Sequence, residues 1–136
     1  MRVILDTNVL ISGMLSPSGN ADTLLRRWLN GNFVLLTSSE QMEEIKSTLR
    51  KPYIASHIKP HDAGKLVNLL RRLTLQIESH APVRRSPDPE DDFLLSLAEA
   101  GDADYLVTGD KAGLLALRRH KGTRIVSISQ FLKILQ

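Results

Sequence analysis

The opening stretch of the chain constrains its fold more than any other. Residues 2–8 read Arg-Val-Ile-Leu-Asp-Thr-Asn, so a short apolar run leads directly into a carboxylate, a hydroxyl and an amide. A continuous apolar run this short is typical of a strand buried on both faces, as strands of parallel sheets are. Asp6 then lies at the carboxyl end of a central strand, where open α/β sheets bind their ligands.

Short apolar runs of this kind alternate along the chain with segments whose apolar residues recur at helical spacing. After the opening strand, strands are predicted at residues 33–36, 75–77, 105–107 and 124–126. Helices are predicted at residues 20–30, 38–51, 61–73, 88–101 and 111–119, with a short helix after the first strand and another after the last. Residues 80–87 form a predicted extended basic connector. The alternation predicts an α/β fold, a three-layer α/β/α sandwich around a five-stranded parallel sheet.

Length and composition limit the classes of protein to consider. With 136 residues, 42% of them hydrophobic and 24% charged, the chain is expected to be one domain over residues 1–136. It has no apolar window long enough for a membrane helix and no basic-then-apolar signal pattern at its start. The absence of cysteine excludes disulfides and thiolate metal sites and fits a cytoplasmic location. The net charge of +3 permits a polyanionic partner without requiring one.

Acidic residues flank several of the predicted strands. Asp6 and Asp110 directly follow the first and fourth strands. Glu43 and Glu44 lie in the helix after the second strand, and Asp91 opens the helix before the fourth. In a doubly wound sheet the first and fourth strands can be neighbours, so loops at their carboxyl ends can bring these acids together.

A cluster of this composition favours one kind of chemistry. Neighbouring carboxylates repel one another, and their pKa values rise unless a cation neutralises them. Oxygen ligands without cysteine suit Mg²⁺ or Mn²⁺ rather than zinc, and one or two such ions can activate water against a phosphodiester. Thr7, Asn8 and Thr108 can orient the ligands or a water. The pattern therefore indicates nuclease chemistry.

Most of these acids also have a purely structural interpretation. Asp6 and Asp110 can cap the helices that follow them. Glu43 and Glu44 can lie on a solvated helix face, and periodicity does not separate them because both flank the apolar stripe about equally.

Asp91 has a structural alternative as the reciprocal partner of an N-cap at Asp88. Helical periodicity places Asp91 nearer the apolar face of its helix than Asp92, which points outward. Unrelated structural roles for all the acids stay open, but the shared sheet edge favours a common site.

Four segments resemble the PIN domain family, in the VapC-like branch whose members are often named as toxin components of toxin–antitoxin systems. They are residues 3–12 (VILDTNVLIS), 43–52 (EEIKSTLRKP), 88–94 (DPEDDFL) and 103–110 (ADYLVTGD). They occur in the order of the family and span nearly the whole chain. The first and last segments are the most specific.

The resemblance implies a metal-dependent ribonuclease whose parallel sheet has strand order 3-2-1-4-5. Carried over by position, the catalytic and metal-binding residues are Asp6, Glu44, Asp91 and Asp110, with Thr108 nearby. The family pattern selects Glu44 where periodicity does not, and it prefers Asp91, although a slip by one residue to Asp92 stays open. The implied cofactor is Mg²⁺ or Mn²⁺, and an antitoxin protein is a candidate partner.

A ribonuclease needs cations along the path of its substrate. Lys111 follows Asp110 directly, and Arg84 and Arg85 lie on the connector that leads to Asp91, so these three are the predicted substrate contacts. Aromatic residues make up only 4% of the chain, too few for a stacking platform. Trp28 and Phe131 are expected to lie in the core, or on a homodimer surface if the first and last helices are exposed.

Three rival functions remain to be weighed. An aspartyl phosphatase would need a carboxylate two residues after Asp6, where the chain has Asn8. A phospho-receiver domain would need its acceptor aspartate after the third strand, where only Glu78 is present. A catalytically silent PIN-like module that binds RNA or protein is the remaining alternative. The expectation is a Mg²⁺- or Mn²⁺-dependent endoribonuclease that prefers single-stranded RNA.

Overall fold

A computed structural model describes residues 1–78, 81–110 and 112–136 of the chain. In these residues the strands are β1 (Arg2–Leu5), β2 (Val34–Thr37), β3 (Leu75–Gln76), β4 (Tyr105–Val107), β5 (Arg119–His120) and β6 (Thr123–Val126). They form one sheet in the order β3-β2-β1-β4-β6-β5. All neighbouring strands are parallel except β5 and β6, which are antiparallel.

Helices connect the strands and cover both faces of the sheet. They are α1 (Thr7–Leu15), α2 (Asn20–Leu29), α3 (Ser39–Leu49), α4 (Pro52–Ala55), α5 (Pro60–Leu73), α6 (Asp92–Gly101), α7 (Leu114–Leu117) and α8 (Ile128–Ile134). A 3₁₀ turn at Pro89–Asp91 precedes α6. Within the described residues, no helix combines the length and the hydrophobicity needed to cross a bilayer.

The central strand β1 is buried from both sides. Successive side chains of a strand point to opposite faces, so Val3 and Leu5 join one core cluster and Ile4 joins the other. All three side chains have no exposed surface. The first cluster includes residues of α1, α2, α3, α5 and α8, and the second includes residues of α6 and α7. The short apolar run at the start of the chain is therefore the centre of both cores.

The predicted fold class is confirmed, and the order 3-2-1-4-5 holds for the five predicted strands when the strand at 124–126 is counted fifth. The sheet has a sixth strand, β5, so the count of five was wrong. The predicted helix at 111–119 was also wrong in extent, because α7 ends at Leu117 and Arg118 adopts a positive φ of 62°. That turn lets Arg119–His120 pair with β6 as an antiparallel edge strand.

Candidate active site

The carboxyl ends of β1 and β4 place Asp6 beside Thr108. Leu5 pairs with Val107 in the parallel ladder, and Asp6 N donates to Val107 O at 2.9 Å. The Thr108 hydroxyl then donates to Asp6 Oδ2 at 2.8 Å. Both side chains are buried, with 7% of Asp6 and none of Thr108 exposed. Residues 102 positions apart in sequence thus share one hydrogen bond.

Asp6 is also the N-cap of α1. Its Oδ1 accepts from Asn8 N at 3.4 Å, so the capping interpretation describes the geometry without removing Asp6 from the cluster. Burial raises the pKa of Asp6, and the negative charge of Asp110 adds to this rise. Hydrogen bonds from Thr108 and Asn8 oppose it, because they favour the ionised carboxylate.

Helix α3 presents Glu44 to the same place. Glu44 is partly buried, whereas Glu43 is exposed and its Oε1 lies 3.5 Å from Lys46 Nζ. Burial raises the pKa of Glu44, and the charges of Asp6 and Glu90 raise it further. The structure therefore separates two neighbouring glutamates that helical periodicity could not.

The 3₁₀ turn before α6 positions Asp91. Asp88 caps this turn, since its Oδ1 accepts from Glu90 N at 3.0 Å. Burial raises the pKa of Asp91 to about 7, and the charges of Asp6, Asp88, Asp110 and Glu44 act in the same direction. An acid with a raised pKa among other acids in a depression is typical of functional sites.

Asp92 faces the connector rather than these acids. Its Oδ1 accepts from Arg85 N at 3.0 Å and from Ser86 N at 2.7 Å. These two bonds fasten the connector to the start of α6. The geometry therefore assigns Asp91 and Asp92 to different surroundings.

Asp110 follows β4 and is held by the backbone around it. Its N–H donates to the Thr108 hydroxyl at 3.2 Å, and its Oδ1 accepts from Gly113 N at 3.0 Å. The carboxylate packs so closely against Gly113 that a Cβ at this position would force the Asp110 side chain to move. Asp110 thus stabilises the turn into α7 rather than capping the helix itself, because the N-cap of α7 is Gly113.

The four predicted acids line one pocket of about 230 Å³. Thr7 and Asn8, predicted as its supporting polar residues, line it too, while Thr108 is buried behind Asp6. The complete lining is Asp6, Thr7, Asn8, Glu44, Thr48, Asp88, Glu90, Asp91 and Asp110. Thr48 was missed from the sequence, although its position one helical turn after Glu44 placed it on the same face. Asp88 was interpreted from the sequence only as a helix cap, and Glu90 was not named as a site residue.

The pocket is strongly acidic. Among residues 1–78, 81–110 and 112–136, no lysine or arginine forms an ion pair with any of the four predicted acids. The Thr7 hydroxyl lowers the pKa of Glu44, because it favours the ionised carboxylate. The position of Thr7 Oγ1 nevertheless does not meet the geometric criteria for a hydrogen bond. This buried hydroxyl therefore has no hydrogen-bond partner in the described part of the chain.

The donor set fits a hard divalent cation in its chemistry, because every side chain in the pocket offers oxygen. The arrangement is not closed around an ion: in the described ranges, no three His, Asp or Glu side chains are placed to hold one metal together. Both Asp6 oxygens and one Asp110 oxygen already accept hydrogen bonds from the protein. Each of these oxygens keeps a second lone pair that a metal could use, so it is the placement of the acids, and not these bonds, that requires side chains to move before three of them can share one ion.

The predicted substrate contacts lie in different settings. Arg84 and Arg85 line a neighbouring groove of about 770 Å³ that shares Glu90 with the acidic pocket. Arg85 Nη1 donates to Arg119 O and to His120 Nδ1, both at 2.8 Å, so its guanidinium fastens the connector to β5. Lys111 lies outside the described residues.

The family model of the PIN domain matches residues 2–112 of this chain. The chain belongs to the PIN domain family. The resemblance seen in its four segments is thereby confirmed. PIN domains are usually nucleases and typically use divalent metals.

Two solved structures share the fold of this PIN domain. One is the crystal structure of VapBC2 from Rickettsia felis bound to a DNA fragment from their promoter, at 15% identity and a TM-score of 0.62. The other is the crystal structure of FitAcB from Neisseria gonorrhoeae, at 16% identity and a TM-score of 0.54. Each likeness covers 93% of this chain and 98% of the other. The comparison with curated proteins gives no match.

The raised pKa of Asp91 predicts how stability depends on pH without divalent ions. A carboxyl group with a higher pKa in the folded than in the unfolded protein stabilises the fold at low pH, and this stabilisation is lost as pH rises from about 4 to about 7. Asp91→Asn removes the titration. We expect it to raise the melting temperature by a few degrees at pH 7.5 and by less at pH 5, in thermal unfolding with a chelator present.

Asp102→Asn is the matched control, because Asp102 is exposed and an asparagine tolerates its left-handed backbone. Its effect on the melting temperature should be small at both pH values. An equal effect of Asp91→Asn at pH 5 and pH 7.5 would show that Asp91 does not titrate in this range.

Proposed function

We propose that this PIN domain, taken as one domain over residues 1–136, is a metal-dependent endoribonuclease that hydrolyses phosphodiester bonds of single-stranded RNA. The observation that carries the proposal is the pocket in which Asp6, Glu44, Asp91 and Asp110 meet. Three of these acids have raised pKa values, and burial is the largest cause in each. Such a site gains stability from a cation that replaces protons. Membership of a family of nucleases supports the same reaction.

The four acids would hold Mg²⁺ or Mn²⁺. When bound, the metal lowers the pKa of a water and neutralises charge on the phosphodiester. Thr108 orients the Asp6 carboxylate through the bond at Oδ2, and Asn8 N–H holds the other oxygen. Thr7 and Thr48 line the pocket beside Glu44 and can hydrogen-bond a water or a phosphate oxygen.

RNA would reach the pocket from the neighbouring groove. The groove and the pocket share Glu90, so they adjoin. Arg84 is exposed on the groove and would contact a phosphate, as would Lys111 beyond Asp110. Arg85 is already bound to β5 and His120, so its contribution would be to hold the connector as well as to attract phosphate.

Regulation by an antitoxin is the second part of the proposal. One of the similar structures is VapBC2 bound to promoter DNA, and the four sequence segments resemble the VapC-like branch, whose members are often named as toxin components. A small inhibitory antitoxin protein is therefore the proposed partner of this chain. A homodimer and a cytoplasmic location, both expected from the sequence, complete the proposal.

A catalytically silent module that binds RNA or protein is the alternative function. Two observations favour it: Asp110 bonds to Gly113 N, and no three acids in the described residues are placed around one metal position. The two functions differ in whether the protein cleaves RNA, and therefore in whether the acids take part in a reaction.

Cleavage of a labelled single-stranded RNA in the presence of Mn²⁺ tests the proposed activity. We expect Asp6→Asn to reduce the rate by at least about 100-fold, because it removes a metal ligand. The fold should survive, since an asparagine can still accept from Asn8 N and donate to the Thr108 hydroxyl. Circular dichroism checks that the variant is folded.

Glu44→Gln and Glu43→Gln form a matched pair for the same assay. Both change one glutamate on α3, but only Glu44 lines the pocket. Glu44→Gln should lose most of the activity and Glu43→Gln should keep it. Full activity of purified Asp6→Asn would refute the assignment, and binding of RNA without any cleavage by the wild type would favour the silent module.

Induction in a bacterial host tests the toxin role. We expect growth to stop on induction of the wild type and to continue with Asp6→Asn expressed at the same level, since arrest would depend on RNA cleavage. Colony counts and optical density provide the readout. Strong cleavage in vitro without growth arrest would instead assign the domain to RNA processing.

A further inference from the structure

Gln41 is a buried polar residue that the proposed reaction does not use. It lies on α3, has no exposed surface, and precedes Glu44 by about one helical turn. The sequence Ser38-x-x-Gln41 predicts a capping box, and Ser38 does accept from Gln41 N at 3.1 Å. The Gln41 side chain, however, does not turn back to the cap. Its Nε2 donates to Leu5 O at 2.6 Å, on the central strand.

The bond from Gln41 Nε2 gives Leu5 O a partner in place of the backbone N–H that β2 would supply if it continued. Met1 O accepts from Val34 N of β2 and Arg2 O from Asp104 N, so odd-numbered carbonyls at this end of the chain face β2. The register of β1 with β2 would give Leu5 O the N–H of residue 38 as its partner. β2 ends at Thr37, and the chain turns there into α3.

The bond between Gln41 and Leu5 connects the strand that leads to Asp6 with the helix that carries Glu44. Leu5 directly precedes Asp6, and Gln41 belongs to the helix that carries Glu44. One hydrogen bond, from the Gln41 side chain to the Leu5 carbonyl, therefore joins the helix and the strand that flank the acidic pocket, on the side where β1 and β2 have separated. Asp6 and Glu44 line the same pocket, and the negative charge of Asp6 disfavours the ionised form of Glu44, so the two carboxylates repel each other.

Burying the Gln41 amide costs free energy, which the hydrogen bond from its Nε2 to Leu5 O has to offset. A buried amide loses its hydration, and Gln41 Oε1 has no hydrogen-bond partner among the residues that the structure describes. A methionine would fill a similar volume without that cost, but it would leave Leu5 O unpaired. The amide orientation follows from the acceptor, because only Nε2 can donate to a carbonyl.

We infer that Gln41 is a positioning residue for the acidic pocket, which fixes the spacing between Asp6 and Glu44 in the ion-free protein. The inference rests on the proposed metal site. Without the bond, repulsion between the acids moves α3 away from β1. A divalent ion must then draw the two elements back together, and its affinity falls.

Titration calorimetry with Mn²⁺ tests this inference on the whole chain. We expect Gln41→Met to bind Mn²⁺ about 10- to 100-fold more weakly than the wild type, the range typical of residues that support metal ligands. Gln41→Asn keeps the amide but is too short to reach Leu5 O, so its affinity should also fall. It serves as the second variant if Gln41→Met does not fold.

Met42→Ala is the matched control. Met42 is the next residue on α3, is 6% exposed and packs in the core, so its truncation lowers stability without touching the Leu5 bond. Its Mn²⁺ affinity should stay within about 3-fold of the wild type, even where its melting temperature falls further than that of Gln41→Met.

The outcomes separate this inference from the proposed function. If the wild type binds Mn²⁺ and Gln41→Met binds it equally well, the positioning role is wrong and the metal site stands. If Met42→Ala weakens binding as much as Gln41→Met, the effect is general loss of stability and the inference is overturned. If the wild type binds no Mn²⁺, the proposed metal site fails and this inference fails with it.

Discussion

The parallel pairing of β1 with β4 is the constraint on which the rest of the structure depends. It sets Leu5 opposite Val107 and so places the buried Thr108 hydroxyl against Asp6. The apolar run at residues 3–5 makes this pairing possible, because its side chains fill the cores on both faces of the sheet. The loops that follow these two parallel strands therefore both begin at the carboxyl edge of the sheet. The geometry of the acidic pocket in this PIN domain is thus a result of strand order.

Gathering the acids has an electrostatic cost that the protein only partly offsets. Asp6 accepts two hydrogen bonds, and Asp110 accepts one from Gly113 N. Within the described residues, the Asp91 side chain makes no capping hydrogen bond at the start of α6, and burial with four neighbouring acids raises its pKa to about 7. Hydrogen bonds therefore hold the acids that follow strands, while the acid on the 3₁₀ turn keeps its proton to higher pH than a free aspartate does.

Much of the fold and of the candidate site could be predicted from the sequence, because both depend on local patterns. The apolar runs gave the buried strands, and the acids that follow or precede them are gathered in one pocket. Strand β5 could not be predicted, since Arg119 and His120 carry no apolar pattern and pair only after the positive φ at Arg118 reverses the chain. A longer helix, over residues 111–119, was predicted from the sequence instead.

Choices between neighbouring residues also needed tertiary structure. Glu43 and Glu44 flank the same apolar stripe of α3. Only the tertiary structure shows that Glu44 is partly buried and lines the pocket with Asp6, whereas Glu43 is exposed. Asp92 is occupied by the N–H groups of the connector, a contact seven residues away that no helical pattern reveals. Gln41 matched a capping pattern, while its side chain bonds to a strand that is 36 residues away in sequence.

The central claim is that strand order gathers these acids into a pocket that binds a divalent ion. Anomalous diffraction from a crystal of this PIN domain soaked in Mn²⁺ tests it most directly. We expect an anomalous peak among Asp6, Glu44, Asp91 and Asp110, at bonding distance from carboxylate oxygens of at least two of them. A well-ordered pocket without such a peak, or manganese bound only elsewhere on the protein, would contradict it.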